Sequence, residues 1–182
     1  FHERAYYFEK DGEWLQLDIP LKANPFGIID EQILFSTDVD WTRGDQIFPA
    51  DAIVAADLEA WKADPNGAEL TLVWAPGERQ TKRGGASTKS SLYVNLLDNV
   101  RGKVLKLDFE NGQWIRQEID LPENATTGIT TASEETDEIL FAATDFLTPT
   151  RWFYAKDGVT LEQVKESPQR FDAEGMEIEQ FE

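Results

Sequence analysis

Residues 137–154 set the tightest limit on how this chain folds. The run Asp137-Glu138-Ile139-Leu140-Phe141-Ala142-Ala143-Thr144-Asp145 is apolar through its middle, which predicts a strand buried on both faces. Pro149 follows; proline has no N–H to give a ladder, so it marks the connection. Arg151-Trp152-Phe153-Tyr154 then reads as a second strand, with Asp157-Gly158 as the next turn signal. The unit recurs. Ile33-Leu34-Phe35-Ser36-Thr37-Asp38 and Leu92-Tyr93-Val94-Asn95-Leu96-Leu97-Asp98 are also apolar runs closed by aspartate. Each leads to a further strand, at residues 52–58 and 103–109. The spacing is 59 positions from Leu34 to Tyr93 and 47 from Tyr93 to Leu140.

Strand repeats of about 50 residues are the pattern of β-propeller blades. The expected fold is therefore all-β, a partial β-propeller of three to four blades of antiparallel sheet. The chain in order refines it. Residues 4–10 and 13–18 flank Asp11-Gly12, a hairpin signal that places a partial blade at residues 1–20. Blades are expected at about 27–75, 90–120 and 127–166, with an exit strand at 171–182. Residues 40–45 read as a loop, and residues 58–63 as a short helix stopped by Pro65-Asn66-Gly67. Residues 76–91 carry no apolar anchor and read as a flexible surface loop. Asn111-Gly112 predicts another hairpin. Trp14, Trp41, Trp74, Trp114 and Trp152 fall at strand positions and are expected between blades.

Charge narrows the partners. With 35 acidic against 17 basic residues, the net charge of −18 repels phosphate backbones and anionic lipids, so neither nucleic acid nor a membrane surface is expected. No apolar run approaches the roughly 18 residues of a membrane span. The chain has no cysteine, which removes disulfides and thiol chemistry and fits a cytoplasmic or a periplasmic setting alike.

The chemistry available is thin. Serine catalysis needs an imidazole, and the single histidine is His2. Gly84-Gly85-Ala86-Ser87 lacks the spacing of a nucleophile elbow. Asp38-Val39-Asp40-Trp41-Thr42-Arg43-Gly44 is similar to a calcium loop, but its glycine is one position late and Pro49 stands where a bidentate glutamate belongs. Asp38 and Asp40 are instead expected to cap loop amides. The same stretch is similar to the Asp-box of sialidase propellers, without its glycine. Among 35 carboxylates, chance pairs suited to glycoside hydrolysis are inevitable. No catalytic, cofactor-binding or metal-ligating residue is assigned, and no cofactor is expected.

Four segments resemble one family, the amino-terminal propeller of prolyl oligopeptidase-type serine peptidases. They are Asp40-Trp41-Thr42-Arg43-Gly44 with residues 48–58, Leu96-Leu97-Asp98-Asn99-Val100-Arg101-Gly102, Thr144-Asp145-Phe146-Leu147-Thr148-Pro149-Thr150, and Arg170-Phe171-Asp172-Ala173-Glu174-Gly175 with residues 177–180. They stand in the family's order across residues 28–182. The resemblance implies a parent peptidase that cuts short peptides, often after proline, with the propeller gating access. It implies that the catalytic serine, aspartate and histidine sit on an α/β-hydrolase domain after this segment. The chain would then be about half of a seven-bladed propeller, inactive alone, with that domain and peptide substrates as partners. A homodimer is expected through a cut blade face bearing Leu140, Phe141, Trp152 and Tyr154. The alternative is an autonomous propeller module that binds protein or glycan.

Overall fold

The computed structural model describes residues 3–176 and divides between Glu78 and Arg79 into two compact units. In the first unit, β1 (Tyr7–Lys10) and β2 (Glu13–Gln16) form a two-stranded hairpin. Next come β3 (Ala23–Ile29), β4 (Gln32–Thr37), β5 (Trp41–Arg43), β6 (Gln46–Phe48), β7 (Ile53–Asp57), α1 (Leu58–Ala63) and β8 (Thr71–Trp74). Four of these strands make an antiparallel sheet in the order β3-β4-β7-β8, and β5 and β6 pair on their own. The second unit holds two more four-stranded antiparallel sheets. One contains β9 (Gln80–Ser87), β10 (Ser91–Asp98), β11 (Arg101–Glu110) and β12 (Gln113–Glu118). The other contains β13 (Thr126–Ala132), β14 (Ile139–Thr144), β15 (Arg151–Ala155) and β16 (Glu162–Glu166). Within each of these two sheets, strands adjacent in sequence are adjacent in space.

Local chemistry explains the turns. Four hairpins close on two residues that both have positive φ: Asp11-Gly12, Asp30-Glu31, Asn99-Val100 and Asn111-Gly112. Such turns match the right-handed twist of the flanking strands. Asp and Asn tolerate this backbone; a β-branched valine does not. Val100 adopts φ 66° and is 64% exposed, so it holds strain without a packing return.

Apolar alternation places the cores. In the first unit Phe35 meets Trp41 edge-on at 6.1 Å and Trp61 at 5.9 Å. Trp61 reaches this position because Asp57 caps α1, accepting from the Ala60 amide at 2.8 Å. The β1–β2 hairpin joins through Phe8, whose ring lies 4.9 Å from that of Trp61. In the second unit the two sheets pack together around Tyr93, Val104, Ile139, Phe141, Ala143 and Phe153. The Tyr93 hydroxyl crosses from β10 to donate to the Gly158 carbonyl at 3.1 Å, and burial pushes that phenol well above its ordinary pKa. Gly158 has φ 76°, and a Cβ there would lie 2.1 Å from the Tyr93 hydroxyl.

Several expectations need correcting. Residues 80–87 are strand β9, not a loop: the backbone pairs with β10, so no apolar anchor on β9 itself is needed. That sheet therefore begins at Gln80 and not near residue 90. Residues 41–48 form the β5–β6 hairpin in place of the expected loop. Trp14 is 71% exposed on the β1–β2 hairpin, and no core covers it. Phe141 cannot share a face with Leu140, Trp152 and Tyr154. Successive strand residues point to opposite faces, and Phe141 pairs Phe153 on the buried side, fully enclosed. For the same reason β14 is buried on one face and half-covered on the other. Residues 171–176 form no strand, and the rest of the expected exit strand, 177–182, lies outside the described residues.

Two outcomes follow from this geometry. Val100→Gly relieves the left-handed strain and should stabilise the protein by about 1 kcal/mol in denaturant titration; a loss of stability would contradict the strain. Tyr93→Phe should cost about 1 kcal/mol, and Gly158→Ala more, through the clash and its φ. Once the hydroxyl is gone, the nearest remaining atoms to that Cβ stand at 3.4 Å. The double variant should therefore be more stable than Gly158→Ala alone, and simple additivity of the two costs would refute the contact.

Candidate functional site

The strand-end loops of the second unit carry its surface chemistry. Since β14 and β16 are each antiparallel to β15, they run the same way. The β14–β15 connection and the segment after β16 thus emerge at one end of the sheet. There, residues 144–150 and 167–171 line a cleft of about 240 Å³. Asp145 shapes its floor: Oδ1 accepts from the Leu147 amide at 2.8 Å and the Thr148 amide at 2.6 Å. Burial opposes ionisation of Asp145, yet these amides, the Thr148 hydroxyl and Arg151 outweigh it and hold the carboxyl below its ordinary value. The Ser167 amide donates to the Thr150 carbonyl at 2.9 Å and draws the outgoing segment alongside. Phe146 is 86% exposed at the rim and Phe171 49%. Arg170 is exposed beside them. Aromatic rings, Pro149, Pro168 and one guanidinium suit an apolar surface or peptide side chain. They provide no nucleophile with a base.

A polar network closes the opposite end. Asp137 Oδ1, just before β14, accepts from the Ser90 hydroxyl at 2.7 Å, the Ser90 amide at 3.0 Å and the Thr88 hydroxyl at 3.2 Å. The Ser90 hydroxyl is the main cause of its lowered pKa; burial opposes it, and the Ser90 amide, Thr88 and Lys106 reinforce it. The Lys89 amide donates to the Thr136 carbonyl at 3.0 Å. Deeper, Lys106 Nζ pairs with Asp108 at 2.5 Å, and the Ser91 hydroxyl donates to Asp108 at 2.6 Å. This cluster ties the β9–β10 turn to the start of β14.

The residues weighed in the sequence stand apart. Ser87 lies on β9 with its hydroxyl 3.4 Å from Glu134, in no elbow. His2 lies outside the described residues. Asp40 Oδ1 accepts from the Ala50 amide at 2.9 Å, the capping role expected of it. Among the described residues no three His, Cys, Asp or Glu side chains group to hold a metal ion. In the first unit Arg43 donates to the Pro65 carbonyl at 3.2 Å; burial lowers its pKa against the pull of Asp18 and Asp64. The cleft escaped sequence reasoning, because nothing along the chain says that residues 144–150 and 167–171 meet. The flanking segments had shown only separately, as a connection at Pro149, an expected exit strand and family motifs.

The comparisons with known proteins agree with this architecture. A family model described as the prolyl oligopeptidase N-terminal β-propeller domain matches residues 36–165. A protein of Sinorhizobium fredii named an uncharacterized peptidase is 34% identical over 184 residues, covering 98% of this chain and 25% of that protein. An uncharacterized peptidase of Rickettsia prowazekii is 24% identical over 177 residues, covering 96% of this chain and 24% of its own length. The chain thus spans about a quarter of the curated relatives it matches. Among solved structures, a post-proline cleaving enzyme from Rickettsia typhi superposes with a TM-score of 0.80 at 21% identity, over 96% of this chain and 26% of that one. A prolyl endopeptidase superposes with a TM-score of 0.69 at 15% identity, over 94% of this chain and 24% of that one. These likenesses give the fold: an all-β, partial β-propeller.

The lowered Asp137 pKa sets a pH dependence. The folded value lies below the unfolded one, so its stabilisation is present above about pH 4 and is lost as pH falls through the folded value. Asp137→Asn should flatten the fall in melting temperature over that acid window while lowering stability near pH 7. An unchanged acid slope would remove Asp137 from the cause.

Proposed function

Because the chain belongs to the prolyl oligopeptidase family, in its N-terminal β-propeller domain, we propose that it is the substrate-gating part of a serine peptidase acting on short peptides. The match to a relative named a peptidase, running through 98% of this chain, carries the reading. The bond cut would follow proline, as in the post-proline cleaving enzyme whose fold it shares. In this reading the nucleophile and its imidazole belong to the remaining three quarters of the parent. The propeller supplies walls, not chemistry. In the second unit buried side chains pin the two sheets together, and a rigid wall of this kind would exclude folded proteins by size. The Phe146–Phe171 cleft, where the chain leaves β16, gives the following domain an apolar seat.

The isolated 182-residue chain should not turn over a chromogenic Gly-Pro substrate. Turnover that survives removal of His2 together with Ser87→Ala would sink the assignment. In the parent, the ratio of long-peptide to dipeptide hydrolysis reads the gate. Removing this segment should raise that ratio, and an unchanged ratio would show that the propeller does not gate.

A further inference from the structure

We propose that the edge strand β9 is a recognition strip for acidic, extended peptides, read by Arg83. It deepens the peptide-gating reading by naming a substrate class.

Charge is the first observation. Residues 83–89 contain the exposed Arg83 and Lys89 and no acidic residue, in a chain of net charge −18. Any acidic segment approaching this protein is repelled by most of its surface and attracted here. Pairing is the second. In the order β12-β11-β10-β9, strand β9 is the edge, and among the described residues no strand pairs with its other side. Along residues 83–87 such an edge offers backbone donors and acceptors to an incoming extended chain.

The third observation is a β-bulge. Asn95 pairs with Gly84 and Leu96 with Lys82, which leaves Arg83 as the extra residue with no partner position on β10. Bulges of this kind re-aim a side chain and end regular pairing. Arg83 is exposed, as are Thr81, Gly84 and Gly85. No atom lies within 4 Å of where a Cβ of Gly84 would stand, so the backbone beside Arg83 is open to a close approach. Next to it, β13 carries its own bulge at the exposed Thr130. Asn95 of β10 ties β13 to this sheet: its amide donates to the Thr127 carbonyl at 3.2 Å, and its oxygen accepts from the Thr127 hydroxyl at 3.0 Å. Strand β13, which lies near β9, is threonine-rich and uncharged. A guanidinium forms its strongest hydrogen bonds with carboxylates, and β9 supplies the ladder that holds the peptide extended.

Edge charges also serve to prevent aggregation. Defence and recognition differ in their response to an acidic strand, and the test uses that difference. The probe is a fluorescein-labelled peptide of alternating glutamate and glycine, amidated at its carboxyl end. Its binding to the 182-residue chain is followed by fluorescence anisotropy at low and physiological salt. The glutamine counterpart with a free carboxyl terminus separates side-chain from terminal carboxylates. The acidic peptide should bind, more weakly as salt rises. Arg83→Ala should weaken it about tenfold or more, the size of one charge-assisted contact. Arg83→Lys should restore part of the affinity, and the melting temperatures of both variants should stay near that of the unmodified chain. Equal binding of the acidic peptide and its glutamine counterpart, or an Arg83→Ala variant with unchanged affinity, would overturn the proposal. Self-association abolished by Arg83→Ala, without peptide binding, would assign the strip to a second acidic copy and overturn it too. The readout needs no peptidase activity, so gating and recognition stand or fall separately.

Discussion

The ring of Tyr93 is the contact on which the second unit depends. It is fully buried, lies 5.9 Å from Phe141, and ends in a hydroxyl bonded to the Gly158 carbonyl. One side chain thus joins the second strand of one sheet to a loop of the next. A sheet of three or more strands is stabilised through its apolar face, which must be covered from water. Here the covering surface is another sheet, and its register relies on a phenol that fits only because residue 158 has no Cβ. Gly102 repeats the theme: a Cβ there would meet the Thr127 amide nitrogen at 2.5 Å, and its own amide donates to the Ala125 carbonyl at 3.0 Å. Two glycines let the sheets approach, and the apolar strands do the rest.

The first unit solves the same problem with indoles. Phe35, Trp41, Phe48 and Trp61 make a connected aromatic cluster, and the only helix among the described residues serves to present Trp61. Aromatic edges and faces hold a geometry that aliphatic packing leaves looser. Several aspartates stand at strand ends and in turns. Asp40, Asp57, Asp137, Asp145 and Asp157 each accept backbone amides. Part of the acidity of this chain therefore serves to hold its loops. Against the chain's negative field the exposed Arg83 and Lys89 form a local exception.

A scaffold of this kind separates rigidity from chemistry. Buried pins fix the sheets, and the connections at their ends vary in sequence at little cost. The cleft at the β14–β15 connection and the edge of β9 are two contrasting surfaces of the second unit. One is apolar with exposed phenylalanines; the other is basic with exposed backbone. They differ in chemistry, and under the proposed gating role they would suit different partners, a packed domain and a passing peptide.

Strand identity was legible along the chain because period-two alternation, Asp-Gly and Asn-Gly turns and apolar runs are local signals. The hairpins at Asp11-Gly12 and Asn111-Gly112 and the helix at residues 58–63 needed no partner to be recognised. The family was legible for a related reason: its motifs are short contiguous segments. Everything decided by a partner was hidden. Strand β9, with glycines and charges in place of an apolar stripe, is a strand only because β10 supplies its hydrogen bonds. Which side of β14 holds Phe141 follows from alternation, yet which side is covered depends on the neighbouring sheet. The cleft between residues 144–150 and 167–171 joins segments that β15 and β16 fold back together. Sequence by itself determined the repeating strand–turn unit and the family, since both are written in neighbouring residues. Tertiary structure alone decided which edges stayed open and which surfaces met, since those depend on chains distant in sequence competing for the same hydrogen bonds and apolar faces.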